Sequence, residues 1–550
     1  MFLVIDALRS DRAEAVLGEG SVWSEKLSNS SLTCPQMFSL APSTQPSLPS
    51  LWSSTRPLDF GGYDFGVRDR PDCLGEVFRK NGYTTRLEAS IPWLTNLYGY
   101  TRGMDSVGIV FDITLLVNTC SYTLIPHLDY FHRGQGSFDE LVRNVSKIIE
   151  NFLKLLISYC SHYDLTDSDR NGIYRHSNFI KLNCKIEIVR LTAEKHLARL
   201  NASPRDYVES FIKDFFGYEK TGWLAKEVKY NLSRIDLITE RLITRFLKLF
   251  SIGWFPRKVY VDAEELANGV IRSMQKTRSN KSESQPFFIA THFMDTHFPY
   301  CPGEQPFWFK NSSNYLFERM SVANILRACH LDSGSVSDQK KQLISQMYDG
   351  ALRYVFAQIA RIIQVTEDMG IADQTLFVIT GDHGEEIFEH GQLGHRFRFY
   401  DECIKTFSLF YQKGMSGQRY ELCADLRDVP VTMLAMAGLE IPRSFQGKNL
   451  AHRRCADERG NYVQMEVFHR GGCDFVNKPI YSAVRTSTHK TIVREWIDST
   501  DTDARSEIEI YDLVEDPLEL NPVCDFDAQG VPSEHAHLIA RRVKELKSGE

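Results

Sequence analysis

Thr375-Leu376-Phe377-Val378-Ile379-Thr380-Gly381-Asp382-His383-Gly384 is an apolar run that passes without a spacer into an acid and an imidazole set between two glycines. A run of this length bounded by turn residues reads as a buried β-strand. The ionisable pair then lies at the strand's carboxyl end, where ligands collect in open parallel sheets. A charge stranded at a sheet edge costs several kcal/mol unless it has a partner, so the pair predicts a site. The two glycines are read as freeing the backbone to turn sharply. Two further segments share the arrangement: Phe2-Leu3-Val4-Ile5 delivers Asp6, and Gln285-Pro286-Phe287-Phe288-Ile289-Ala290 delivers a polar cluster over Thr291–His297. Asp6 alone could equally be a helix N-cap. Together the strand ends predict Asp6, Asp382 and His383 around one divalent cation. Mostly oxygen ligands favour manganese, calcium or magnesium over zinc.

Outward from these strands, residues 1–110 alternate short apolar runs with Gly, Pro and Ser, as α/β units do. Residues 74–80 read as a helix, followed by a strand near 83–85. From about 112 to 256 helical spacing dominates, as in 138–159 and 236–250, which predicts a helical insertion in an α/β core. Beyond the insertion, 278–285 reads as a solvated loop and 341–368 as a long amphipathic helix closed by Gly370. Beyond about 442, β-rich segments such as 480–484 and 490–493 predict a small C-terminal α+β unit.

The chain has 550 residues, 43% hydrophobic and 25% charged, which excludes wholesale disorder and coiled-coil or collagen-like structure. A net charge of −7 gives no basic footprint for nucleic acid. The twelve cysteines contain no C-x-x-C pair and are too sparse for a disulfide scaffold, which suits a reducing compartment. No apolar run reaches the roughly 18 residues of a transmembrane helix. An apolar strand directly after Met1 leaves no room for a signal peptide, so a cytoplasmic protein is expected, the alternative being a start inside a longer reading frame.

Phe2–Arg12 resembles the opening strand of the sulfatase family, within the alkaline phosphatase superfamily. Thr380-Gly381-Asp382-His383-Gly384-Glu385-Glu386, with His390-Gly391 and Gly394-His395, resembles that family's second metal motif, and Thr291–Tyr300 its substrate-binding histidine motif. Asp428–Leu434 through Gly438, with Gln446-Gly447, is similar to the segment closing its catalytic domain, and Tyr511–Asn521 to its C-terminal signature. The matches run in order along nearly the whole chain outside 112–256. The resemblance implies a three-layer α/β/α alkaline-phosphatase-like core over 1–441, with 112–256 as the helical insertion and 442–550 as a C-terminal α+β subdomain.

The family carries its nucleophile in Cys-x-Pro-x-Arg, the Cys (sometimes Ser) being oxidised to formylglycine. In register with Pro46, Thr44 stands at that position and Leu48 replaces the arginine. Oxidised threonine would be a ketone rather than an aldehyde, so Thr44 itself must attack phosphorus or sulfur. That logic resembles the phosphoethanolamine and phosphoglycerol transferases and nucleotide pyrophosphatases of the superfamily, and favours phosphate esters. The expected metal set is Asp6, Thr44, Asp382 and His383. By the resemblance, His297 and His395 contact substrate oxygens or protonate the leaving group, His395 standing where a lysine is usual. Arg9 is read separately as a residue that could help with substrate charge. His292 and His390 read as structural or supporting, and with Asp295 as the only spare acid in these motifs one metal is expected rather than a two-zinc site. Thr44 could instead only cap the following helix.

The leading expectation is a metal-dependent hydrolase or transferase of phosphate or sulfate esters, the substrate being possible as a glycan or a lipid-linked ester. The alternatives are a sulfuric ester hydrolase and a catalytically silent metal-binding relative. A basic, aromatic, amphipathic stretch over 236–258 could touch a membrane surface, or could pack as a lid helix on the core.

Overall fold

The computed structural model describes residues 1–109, 120, 124, 127, 128, 131, 137–162, 186–216, 261–280, 285–298, 300, 336–395, 398–452, 462–468, 480–495, 507–523 and 531–548. The stretch 236–258 lies outside the described residues. The chain divides into two units. One comprises Met1–Gly108, Asp262–His469 and Cys473–Glu550, and the other Ile109–Val261 with Arg470–Gly472.

The larger unit is built on a nine-stranded sheet. In chain order its strands are β1 (Phe2–Ile5), β2 (Ser31–Phe38), β3 (Thr84–Ala89), β4 (Ser106–Ile109), β5 (Phe287–Phe293) and β6 (Phe377–Gly381). After a small separate hairpin of β7 (Glu386–Ile387) and β8 (Leu393–Gly394) come β9 (Lys405–Tyr411), β10 (Gln418–Arg419) and β11 (Ala424–Asp425). The spatial order is β10-β2-β9-β6-β1-β5-β3-β4, with β11 also beside β2. β1 pairs in parallel with β5 and β6, with Ile5 level with Phe293 and Gly381. β9 runs antiparallel to both β2 and β6, so β2 points the same way as β6.

The central position of β1 explains its composition. All four residues of Phe2–Ile5 are buried, and a strand covered on both faces has no use for polar alternation. Helices cover both faces, giving the three-layer α/β/α core. The helix Asp338–Asp368 buries Ile344, Met347, Tyr348, Ala351, Leu352, Val355, Ile359 and Ile362, a single stripe at 3.6-residue spacing. Gly370, at φ 68°, supplies the left-handed residue that closes its end. The helix Ala263–Asn280 extends into the region read from sequence as a solvated loop.

The four-stranded antiparallel C-terminal sheet comprises β12 (Tyr462–Phe468), β13 (Ile480–Thr486), β14 (His489–Glu495) and β15 (Glu507–Asp512). Val484 and Val493 pack on Ile539 and Val543 of the helix Val531–Ser548. Val463, Met465, Val467, Ala483 and Ile492 pack with Phe38, Leu40 and Ile404 of the larger sheet's side. The small unit contains the helices Phe138–His162, Ile186–Ala202 and Pro204–Phe216, packed together. Leu141, Val145, Ile149, Phe152 and Leu156 form the buried stripe of the first. Among the described residues no helix is long and apolar enough to cross a membrane.

A buried ion network fixes the C-terminal sheet to the short helix Asp401–Ile404. Lys490, with no exposed side chain, donates to the Phe399 carbonyl at 2.9 Å and pairs with Asp401 and Glu519 at 2.5 Å each. Arg485 grips Asp401 bidentately at 3.0 and 2.8 Å. Burial alone would raise the Asp401 carboxyl, but Lys490 and Arg485 outweigh it and hold it below the ordinary range. Asp401→Ala leaves a buried ammonium and guanidinium short of a partner and is expected to cost about 3–5 kcal/mol in urea unfolding. Because the folded carboxyl is depressed, its stabilisation is complete above about pH 4 and lost as the pH falls through the folded value. Acid unfolding of the wild type should therefore steepen below about pH 4, and Asp401→Ala should lose that component.

A buried carboxylate–imidazole centre at the sheet edge

Parallel β1, β5 and β6 end at one edge, and each brings chemistry there. Asp6 follows Ile5, and Asp382 and His383 follow Gly381. β2, pointing the same way, feeds the loop that starts the helix Thr44–Ser53, so Thr44 arrives from a strand three places away. Thr44 is the first residue of that helix and Ser43 its N-cap, so Thr44 is not the capping residue. Asp6 is no N-cap either, because the next helix begins at Ser10.

The Thr44 hydroxyl lies 3.0 Å from Asp6 Oδ2, to which it donates, and 3.2 Å from His383 Nε2. His383 Nε2 lies 3.9 Å from Asp6 Oδ1 and 3.7 Å from Asp382 Oδ1. His383 Nδ1 donates to the Gly384 carbonyl at 2.7 Å, which turns the Nε2 lone pair toward this cluster. Asp382 Oδ1 accepts from the backbone N–H of Ala7 at 3.1 Å and of His383 at 2.9 Å. Ala7 sits at φ 53°, a left-handed conformation rare for a residue with a side chain, and this sharp turn points its N–H at Asp382.

The glycines around Asp382-His383 serve a different purpose from the one read from sequence. Neither has a positive φ. A Cβ on Gly381 would meet Thr406 Oγ1 at 2.0 Å, and one on Gly384 would meet the Glu402 carbonyl at 2.0 Å. Close packing of the loop, rather than turning freedom, requires them.

Asp6, His292, Asp382 and His383 are fully buried. Burial first, and the Asp382 charge second, push the Asp6 carboxyl up to about 8. Burial also opposes ionisation of Asp382, but His383, His292 and the Ala7 N–H hold it below the usual carboxylate range. Burial drives His383 down to about 3, so its imidazole is neutral. Two dry carboxylates side by side, with Asp6 Oδ1 lacking a hydrogen-bond partner among the described residues, form a centre short of positive charge. Carboxylates, a hydroxyl and a neutral imidazole 3.0–3.9 Å apart suit a divalent cation.

Two further residues belong to the centre. His292 Nε2 lies 3.1 Å from Asp382 Oδ2 and 3.8 Å from Asp6 Oδ2, and Asp6, His292 and Asp382 form one of two triads able to hold a cation. The other is Asp6, His383 and His395. The sequence reading ended β5 at Ala290 because Thr291-His292 is polar, but the strand runs to Phe293 and carries His292 into the core beside Val4. Glu385 is also fully buried, accepting from His395 Nδ1 at 2.7 Å and from the Tyr300 hydroxyl at 3.0 Å. Burial works against the charged form of His395, but Glu385 outweighs it and raises His395 to about 9. His297, its ring 5.1 Å from that of His395, is pushed down to about 3 by burial and by His395.

The remaining residues singled out in the sequence have other partners. The Arg9 guanidinium is held by Asp11 at 3.0 and 2.9 Å, by Glu389 at 2.5 Å and by the Glu385 carbonyl at 3.1 Å. Leu48 is buried. Asp295 Oδ1 accepts from the Ala263 N–H at 3.0 Å, at the start of the helix Ala263–Asn280. His390 stacks on Tyr400, centroids 3.7 Å apart, with Nε2 3.4 Å from Glu402.

Solved structures share this three-layer α/β/α fold. The chain is similar to an alkaline phosphatase superfamily protein from Vibrio parahaemolyticus over 100% of its own length and 86% of that protein's, with a TM-score of 0.51 at 9% identity. It is similar to a phosphonate monoester hydrolase from Silicibacter pomeroyi over 99% of its own length and 94% of that protein's, with a TM-score of 0.53 at 14% identity. The sulfatase family model matches residues 2–169 and 199–439, and the chain belongs to the sulfatase family. An arylsulfatase of Clostridium perfringens is 22% identical over 347 residues, which span 60% of this chain and 66% of that protein.

Asp382→Asn is expected to abolish Mn²⁺ binding in calorimetric titration, together with the cation-induced rise in melting temperature. His292→Gln should weaken that binding by about 10–100-fold, as loss of a supporting partner does.

Proposed function

We propose that the protein is a metal-dependent hydrolase or transferase of phosphate or sulfate esters in which Thr44 is the nucleophile. The observation that carries this reading is the Thr44 hydroxyl 3.0 Å from Asp6 Oδ2 and 3.2 Å from His383 Nε2. A threonine with only a capping or packing role has no need of a buried carboxylate and a neutral imidazole at its oxygen. Asp6, Thr44, Asp382 and His383 would hold one divalent cation, manganese, magnesium or calcium before zinc given the oxygen donors. When bound, the cation lowers the pKa of the hydroxyl and stabilises charge developing on the ester oxygens.

The chain's own groups supply the rest. The hydroxyl proton leaves along the hydrogen bond to Asp6 Oδ2 while Oγ1 attacks phosphorus or sulfur. His395 and His297 lie on the side from which the ester approaches, where His395 donates a proton to the leaving oxygen. A second attack at the same centre, by water or an alcohol, releases the product and returns the proton to Thr44. A threonine, whose oxidation cannot give the formylglycine aldehyde, favours phosphate esters. Similarity to an arylsulfatase favours the second reading, a sulfuric ester hydrolase.

The test is turnover of p-nitrophenyl phosphate, its diester and p-nitrophenyl sulfate with Mn²⁺, Mg²⁺ or Ca²⁺. Thr44→Ala is expected to lower phosphoester turnover by roughly 10⁴–10⁶-fold, as loss of a nucleophile does. Acid quench of the wild type should trap phosphate on Thr44 by mass spectrometry. Sulfate turnover that survives Thr44→Ala would overturn the nucleophile assignment.

A further inference from the structure

We propose that Glu385 is a positioning residue that holds His395 as proton donor to the leaving oxygen, and that the substrate is accordingly an ester of an aliphatic alcohol. The proposal rests on the Thr44 reading above and adds the leaving-group half of the reaction.

Glu385 is fully buried and belongs to neither cation triad. Both of its oxygens are engaged: Oε2 takes the His395 Nδ1–H at 2.7 Å and Oε1 takes the Tyr300 hydroxyl at 3.0 Å. Tyr300 stands edge-on to Tyr348, centroids 5.3 Å apart at 84°. The Tyr348 hydroxyl donates to the Ala7 carbonyl at 2.7 Å and accepts from the Arg9 N–H at 3.0 Å. The carboxylate is thus tied to the turn that carries Asp6. A carboxylate fixed in this way fixes the imidazole it holds, as a third group orients the base of a catalytic triad.

With Nδ1 given to Glu385, Nε2 is the nitrogen that can reach substrate. A ring nitrogen of His395 lies within 4.8 Å of ligand atoms on Asp6 and His383. The His395 side chain is 15% exposed, whereas those of Glu385, Asp6, Asp382 and His383 are not exposed at all. His395 is therefore the member of this group that an entering ester can reach, and its free Nε2 is placed to serve the leaving oxygen.

A phenolate departs without a proton, but an alkoxide does not, so a histidine held as proton donor matters for an alkyl ester and little for an aryl one. As Thr44 Oγ1 bonds to phosphorus or sulfur, the bond to the alkyl oxygen breaks and that oxygen takes the proton from His395 Nε2. In the second half a water oxygen bonds to phosphorus or sulfur and gives its proton to Nε2, the bond to Thr44 Oγ1 breaks, and Oγ1 takes back the proton held by Asp6.

The experiment compares wild type, Glu385→Gln and His395→Gln on p-nitrophenyl phosphate and glycerol 3-phosphate, or on p-nitrophenyl sulfate and glucose 6-sulfate if sulfate is the better substrate, at saturating Mn²⁺. Both variants are expected to lose about 10²–10⁴-fold in kcat on the alkyl ester and less than about 10-fold on the p-nitrophenyl ester. Mn²⁺ affinity should be unchanged. Equal losses on both esters, no loss on either, or wild-type turnover confined to the aryl ester would overturn the proposal. A fall in Mn²⁺ affinity would also overturn it, making His395 a ligand. His395→Gln, at the partly exposed residue, keeps the test valid if Glu385→Gln does not fold. Turnover that persists in Thr44→Ala would instead overturn the nucleophile reading beneath it.

Discussion

Two carboxylates buried without exposure at neighbouring strand ends set the terms for the rest of the centre. Asp6 and Asp382 lie side by side because β1 and β6 are adjacent, parallel and in a register that puts Ile5 level with Gly381. Each buried carboxyl opposes ionisation of the other, and the surroundings relieve Asp382 but not Asp6. Asp382 gathers two backbone N–H groups and His292, while Asp6 receives the Thr44 hydroxyl and keeps one oxygen without a partner among the described residues. The imbalance leaves a cluster of donor atoms of the kind that could hold a cation. It also accounts for the left-handed Ala7, whose strained turn aims a donor at the carboxylate that most needs one.

The loop bearing Asp382 and His383 depends in turn on the C-terminal sheet. The Gly384 N–H donates to the Cys403 carbonyl at 2.8 Å, and Gly384 has no space for a side chain against Glu402. Residues 401–404 are themselves held through Asp401 by Lys490 and Arg485, and through the Asp401 N–H by Glu519. A buried ion network in one sheet thereby fixes the backbone against which the Asp382-His383 loop of the other is packed. This gives a physical role to the acidic C-terminal segment around Glu519, which sits at φ 55° to reach Lys490 and the Asp401 N–H.

Much of this was legible in the residues. The apolar runs before Asp6 and Asp382, and the helical stripe of 338–368, carry their structure locally, because burial on two faces or on one stripe leaves a periodic signature. His292 was hidden because two polar residues inside a buried strand look like a loop, and Glu385 because its partners Tyr300 and His395 are 85 residues before it and 10 after it. The glycines beside Asp382-His383 were correctly singled out, but for freedom of rotation when the constraint is the approach of Thr406 and Glu402.

The sequence by itself determined the alternation of strands and helices, the strand-end placement of Asp6, Asp382 and His383, and, through the ordered motifs, the family. These follow from local periodicity and from short spacings within one segment. Only the tertiary structure decided which groups share the centre: that Thr44 meets Asp6 and His383, that His292 supports Asp382, that Glu385 grips His395, and that Arg9 is committed to Asp11 and Glu389. Most of those partners are brought together across the order and register of the sheet and the packing of its loops. Hydrogen bonds of about 3 Å between residues distant in sequence are set by those long-range pairings, and leave no periodic trace in the chain.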